Sequence, residues 1–101
     1  MDATDSDKRE RMLALLRANH TFPGIFHLSV ITVSKVEVQV ALRAAVEAGA
    51  ASALAEDAWE TRSSGGGKYT SHRIQVPCVS AEAVLELYER VWRVEGVVTM
   101  L

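Results

Sequence analysis

From Ile25 to Val33 the chain alternates with a period of two. Phe26, Leu28 and Val30 fall on one side, and Ile25, His27, Ser29 and Ile31 on the other, which predicts a half-buried strand. The period then lengthens. Val38, Ala41, Leu42, Ala45 and Val46 recur at helical spacing as far as Gly49, behind a Ser34-Lys35-Val36-Glu37 capping box. Ala58 to Ser64 and Lys68 to Val76 read as two strands joined through Ser63-Ser64-Gly65-Gly66-Gly67-Lys68, a hairpin connection. In the second of these, Ile74 and Val76 face a core while Tyr69, Ser71, Arg73 and Gln75 face away. Pro77 is expected to end that strand, because proline cannot donate to a ladder. Ser80 caps a second helix with Glu82 in its first turn. Its stripe is Val84, Leu87, Tyr88 and Val91, widened by Leu85 and Trp92, with Tyr88 and Trp92 expected on the inner side. Gly96 breaks this helix, and Val97 to Leu101 is a last strand. At the other end, residues 1–7 are polar and expected to fray. Asp7 to Asn19-His20 then reads as a short amphipathic helix carrying Met12, Leu13, Leu15 and Leu16, followed by a turn at Thr21-Phe22-Pro23-Gly24.

After the N-terminal helix the order is β-α-β-β-α-β. Strands joined through a helix run parallel, by right-handed crossovers. The expected fold is an α+β ferredoxin-like sandwich: a four-stranded antiparallel sheet, two helices on one face, and a short N-terminal helix added. Residues 1–20 form a polar tail and helix, and residues 21–101 the domain. The second sheet face is left open, and an open face has to be solvated or covered.

Length and composition fit one domain: 101 residues, 49% hydrophobic and 24% charged. Eleven Lys and Arg against thirteen Asp and Glu give a net charge of −2, which disfavours bulk electrostatic binding to nucleic acid or anionic membrane. No apolar run is long enough for a spanning helix, and the polar N-terminus has no apolar core of a secretion signal. A single cysteine, Cys78, suits a reducing compartment. The expected location is therefore cytoplasmic.

Candidate chemistry is sparse. The glycine run before Lys68 fails the phosphate-loop pattern, with Arg62 where its first glycine would stand and Tyr69 after the lysine, and it joins two strands. His20, His27 and His72 lack metal-ligand spacing, and His27 and His72 should lie on opposite sheet faces, so no metal is expected. Cys78 has His72 upstream but no orienting acid, so a buried structural thiol is expected. Glu56, Asp57 and Glu60, and Glu82, Glu86 and Glu89, read as solvated faces. An RNA-reading sheet would need stacking aromatics. The open face offers Tyr69 and Trp59 with His27 and Arg73, but the diagnostic aromatic motif is absent. What does stand out is residues 62–73, which hold Arg62, Lys68 and Arg73 with His72 and no acid, a cluster able to hold a carboxylate or phosphate.

Several landmarks together resemble a known family. They are Phe22-Pro23 with Phe26; Arg62-Ser63-Ser64 and Gly67-Lys68-Tyr69-Thr70-Ser71; Ser80-Ala81-Glu82 with Tyr88; and the terminal Val98-Thr99-Met100-Leu101. Over residues 20–101 the chain is similar to the YbeD-like family of small bacterial proteins of uncharacterised role. The resemblance implies a ferredoxin-like fold similar to ACT-type regulatory domains, which bind small effectors at subunit interfaces, and it implies no established catalytic activity. The family motif falls on Ser63, Ser64, Gly67, Lys68, Tyr69 and Ser71. The chain differs in its three consecutive glycines, in the alanines of its first domain helix, and in having Val33-Ser34-Lys35 where ACT-type sites carry a glycine.

The expectation is a non-enzymatic regulatory or interaction domain without a cofactor, binding a small anionic effector near the basic hairpin. Arg62 and Arg73 would pair with the anion, Lys68 would supply a point charge, and Tyr69 and Ser71 would orient it. Self-association is expected through a sheet edge or the open face. The alternative is a structural module that docks on a protein partner through its N-terminal helix or open face.

Overall fold

The computed structural model describes residues 3–101. Alternation decides the two long strands. β1 (Gly24–Val33) buries Phe26, Leu28, Val30 and Thr32, and β3 (Tyr69–Cys78) buries Thr70, His72, Ile74, Val76 and Cys78. They pair antiparallel from Gly24 against Cys78 to Val33 against Tyr69, so their buried sets share one face. β2 (Trp59–Ser63) adds to β3, and β4 (Val97–Met100) adds to β1 with a register shift at Ile31/Thr32. The order is β2-β3-β1-β4, antiparallel throughout.

α2 (Val36–Gly49) and α3 (Ala81–Trp92) cover the buried face. Val46 and Leu42 from α2 and Val84, Leu87 and Val91 from α3 meet Leu28, Val30, Ile74 and Val76 in one core. The fold is the ferredoxin-like α+β sandwich with an added N-terminal helix, α1 (Ala3–Asn19). Leu13 of α1 packs on Ala81 and Leu85 of α3, with Leu16 and Phe22 beside them. Arg17 pairs with Glu82 at 3.0 Å near that seam. The Glu82 carboxyl is held below its usual range, first by a hydrogen bond to its own backbone and then by Arg17. An exposed pair of this kind adds little, whereas burying Leu13 is worth about 2 kcal/mol, so apolar contact holds α1 in place.

The structure corrects four sequence expectations. Helix α1 already begins at Ala3, since residues 3–7 contain no glycine or proline to break it; fraying of residues 1–2 lies outside the described residues. The capping box does not form. Lys35 occupies the N-cap without a side-chain bond, because the Ser34 hydroxyl is engaged by Thr70 Oγ1 at 2.7 Å. Ser80 does cap α3, accepting from the Ala83 N–H at 3.1 Å.

Pro77 does not end β3; it pairs with Ile25. The Gln75 N–H donates to the Ala58 carbonyl and the Pro77 carbonyl accepts from Ala51, so odd residues of β3 aim their polar groups at the β2 side. β2 has run out by then, and the missing N–H leaves no rung unmade. Finally, Trp92 is 52% exposed rather than internal. The inner positions of α3 are filled by Val84, Leu87 and Val91, and Trp92 is turned toward α1. There, with Met12, Leu15, Leu85, Tyr88 and Met100, it lines an apolar groove of about 750 Å³.

The turn into β4 depends on Gly96, at φ 99°, where an added Cβ would lie 2.6 Å from Val38 Cγ2. Gly96→Ala should destabilise the domain by at least about 2 kcal/mol in urea unfolding. Gly66→Ala, in open space on the hairpin, should change stability by under about 1 kcal/mol.

Candidate functional site

Strand register assembles the open face from residues far apart in sequence. Glu60 lies opposite Arg73, and Arg62 opposite Ser71. On the other side of β3, Arg73 meets Ser29 and Ser71 meets Ile31. Leu101 closes the first row, its N–H donating to the Ser29 carbonyl at 2.9 Å. Ser29, Ile31, Glu60, Arg62, Ser71 and Arg73 line a shallow depression of about 410 Å³.

Arg62 and Arg73 are diagonal neighbours across the β2–β3 pair, about 7–8 Å apart at the backbone. Two guanidinium groups at that spacing can converge on one carboxylate or phosphate, and each offers a planar fork of donors. Ser71 sits opposite Arg62 and two residues along β3 from Arg73. Glu60 adds a negative charge beside Arg73, which leaves the cluster one net positive charge.

Of the five residues singled out from the sequence, three come together in the depression: Arg62, Ser71 and Arg73. Tyr69 shares the face but lies at the hairpin end, opposite Val33, with the Lys68 ammonium 5.6 Å from its ring centroid. Neither Lys68 nor Tyr69 lines the depression. Sequence reasoning missed Glu60 and Ser29 as neighbours of Arg73. The glycine hairpin was the available signal, because its length sets which residues of the two strands face each other.

Trp59 requires a correction. It is paired with Ile74 and therefore lies on the helix-covered face, not the open one. Arg43 of α2 stacks on its ring at 4.5 Å. The indole N–H donates to His72 Nδ1 at 3.0 Å. An indole can only donate, so Nδ1 carries no proton. The imidazole proton sits on Nε2 and is donated to Thr32 Oγ1 at 3.1 Å. That hydroxyl donates to the Val33 carbonyl at 3.1 Å and accepts from Gln39 Nε2 at 3.3 Å. His72 is 1% exposed and has a partner at each ring nitrogen, on the inner face of β3 between the outward-facing Ser71 and Arg73.

Burial lowers the His72 pKa below its ordinary value and raises those of the Cys78 thiol and the Tyr88 hydroxyl. Among the described residues, no group of three or more His, Cys, Asp or Glu side chains could hold a metal ion. Among the same residues no helix is long and apolar enough to cross a membrane.

A family model described as a protein of unknown function, DUF493, matches residues 17–101. No curated protein and no solved structure matches the chain.

The His72 geometry fixes a pH dependence. Neutral His72 accepts from Trp59, and protonating Nδ1 would set two N–H groups against each other. Its native pKa is depressed, so below about pH 6.5 the unfolded chain takes up a proton that the native state refuses. Stability should be level from there to pH 7.5, below the range in which the buried Cys78 thiol and Tyr88 hydroxyl would begin to matter. It should fall by up to about 1.4 kcal/mol per pH unit below about pH 6.5, until native His72 itself titrates. Urea unfolding between pH 7.5 and 5 measures this. His72→Gln should be less stable at pH 7.5 and show a shallower loss on acidification.

Proposed function

The chain belongs to the DUF493 family, and we propose that it serves as a non-enzymatic regulatory domain that binds a small anionic effector on the open face of its sheet. One observation carries this reading: Arg62, Ser71 and Arg73 together line a depression on the sheet face opposite α2 and α3.

The chemistry follows from the arrangement. Each arginine presents paired donors to a carboxylate or phosphate, and the fixed strand register holds the two at a constant separation. Ser71 adds a hydrogen bond that either accepts or donates. Glu60 repels a second negative charge near Arg73. The site therefore favours a compact anion carrying a hydroxyl or amino group, which Glu60 can engage, over a polyanion. Lys68 contributes only a nearby charge from outside the depression.

A thermal-shift screen of amino acids, small hydroxy-carboxylates, inorganic phosphate and nucleoside monophosphates tests this, followed by calorimetry on whichever compound shifts the transition. At least one anion should raise the melting temperature saturably. Arg62→Gln/Arg73→Gln should weaken its binding by at least about a hundredfold, as expected for two charged hydrogen-bonding groups. Lys68→Gln should leave affinity within about threefold, the effect of an exposed charge. Absence of any shift across the panel, or equal binding by the double variant, overturns the assignment.

A further inference from the structure

We propose that β2 is a self-complementary edge through which two copies of this chain join their sheets. β2 ends the sheet, and Glu60, Thr61, Arg62 and Ser63 are all exposed. The direction of its free backbone groups follows from the ladder with β3. The Gln75 N–H donates to the Ala58 carbonyl, and the Ser64 N–H donates to the Tyr69 carbonyl. Even-numbered residues of β2 therefore point their N–H and C=O groups at β3. Trp59, Thr61 and Ser63 point theirs outward, where no strand lies.

A two-fold axis through Thr61, perpendicular to the sheet, satisfies these groups. Thr61 pairs with Thr61 of the second copy and Trp59 with its Ser63, all as hydrogen-bonded antiparallel pairs. The axis keeps both open faces on one side. It also sets Glu60 opposite Arg62 of the second copy, twice by symmetry, in the close non-hydrogen-bonded positions. A charged row then crosses the junction: Arg73, Glu60, the second copy's Arg62, and its Ser71. Signs alternate along it wherever charges are adjacent.

Edge strands are commonly protected by charge, but protection works through repulsion. A strand bearing one acid and one base two residues apart on one face attracts its own copy instead. The opposite edge lacks these properties. β4 is shorter, its pairing with β1 is irregular, and it offers no such charge pair. The contact between two five-residue strands is small, which places the affinity on the order of micromolar or weaker.

Sedimentation velocity of the full chain, without any added anion, over about a hundredfold concentration range reads this directly. The expected result is a monomer–dimer equilibrium. Glu60→Arg and Arg62→Glu should each weaken it by about tenfold or more. An equimolar mixture of those two variants should restore association, since each then offers the charge its partner lacks. Thr61→Pro removes an outward donor, spares the bonds to β3, and should abolish dimerisation. Circular dichroism of each variant confirms the fold. A monomer at every concentration overturns the inference, as does a dimer indifferent to both charge reversals and to Thr61→Pro. The measurement is made without effector, so its failure leaves the anion-binding reading untouched.

Discussion

The arrangement of this molecule depends on a short string of buried hydrogen bonds, Trp59 to His72 to Thr32, with Gln39 joining at the end. It crosses β2, β3 and β1 and reaches α2. β1 and β3 need no such help: ten-residue strands with long, mainly apolar buried faces define their own pairing. β2 is different. Only Trp59 of its residues is part-buried, so apolar burial alone specifies its register weakly. A slip along β3 would leave His72 Nδ1 without a donor in the core. An unsatisfied buried polar atom costs about 1–3 kcal/mol, more than a short exposed strand recovers elsewhere. The indole–imidazole bond therefore fixes where β2 sits, and through it the placement of Glu60 opposite Arg73 and Arg62 opposite Ser71. The chemistry of the outer face is set by a contact on the inner one.

Much of the fold was legible in the sequence because local and tertiary preferences agree there. Phe26, Leu28 and Val30 alternate as a half-buried strand must, and Val84, Leu87 and Val91 recur as a buried helix face must. Three of the failures share one physical cause: tertiary surroundings displaced a local rule. Ser34 had the sequence of a cap, but Thr70 offered its hydroxyl a bond across the sheet. Pro77 had the chemistry of a terminator, but β3 outlasts β2 on the side where the missing N–H would have mattered. Trp92 extended an apolar stripe, but α1 supplied a second, shallower surface to lie against. The candidate site divides the same way. Arg62, Ser71 and Arg73 were visible as a basic run of strand residues. Glu60 was not, because its position opposite Arg73 depends on the register across the hairpin, which periodicity does not reveal.

Charge on this chain works at short range. The net charge of −2 gives an approaching anion no long-range attraction. Selectivity on the open face has to come from contact geometry, and arginine suits that condition better than lysine. A guanidinium fork rewards a correctly oriented carboxylate or phosphate, whereas an ammonium attracts any anion nearby. The placement of the residues follows this division. The arginines lie in the depression on strands of fixed register, and Lys68 lies on the hairpin beyond it.

Arg62 connects the two proposals. It is one of the two groups proposed to hold the anion, and across the proposed β2 junction it would also be the partner of the second copy's Glu60. A guanidinium has enough donors for two acceptors, but Glu60 and an effector carry like charge and would approach the same group. Their occupancies then oppose one another, and linkage makes the opposition mutual: whatever the anion costs the dimer, the dimer costs the anion. The reverse sign requires a bound molecule that reaches Glu60 with a donor of its own and so relieves the repulsion. A zwitterion does this and a simple carboxylate does not. Glu60, the acid that sequence reading passed over, would thus decide whether a ligand loosens the joined sheets or holds them together.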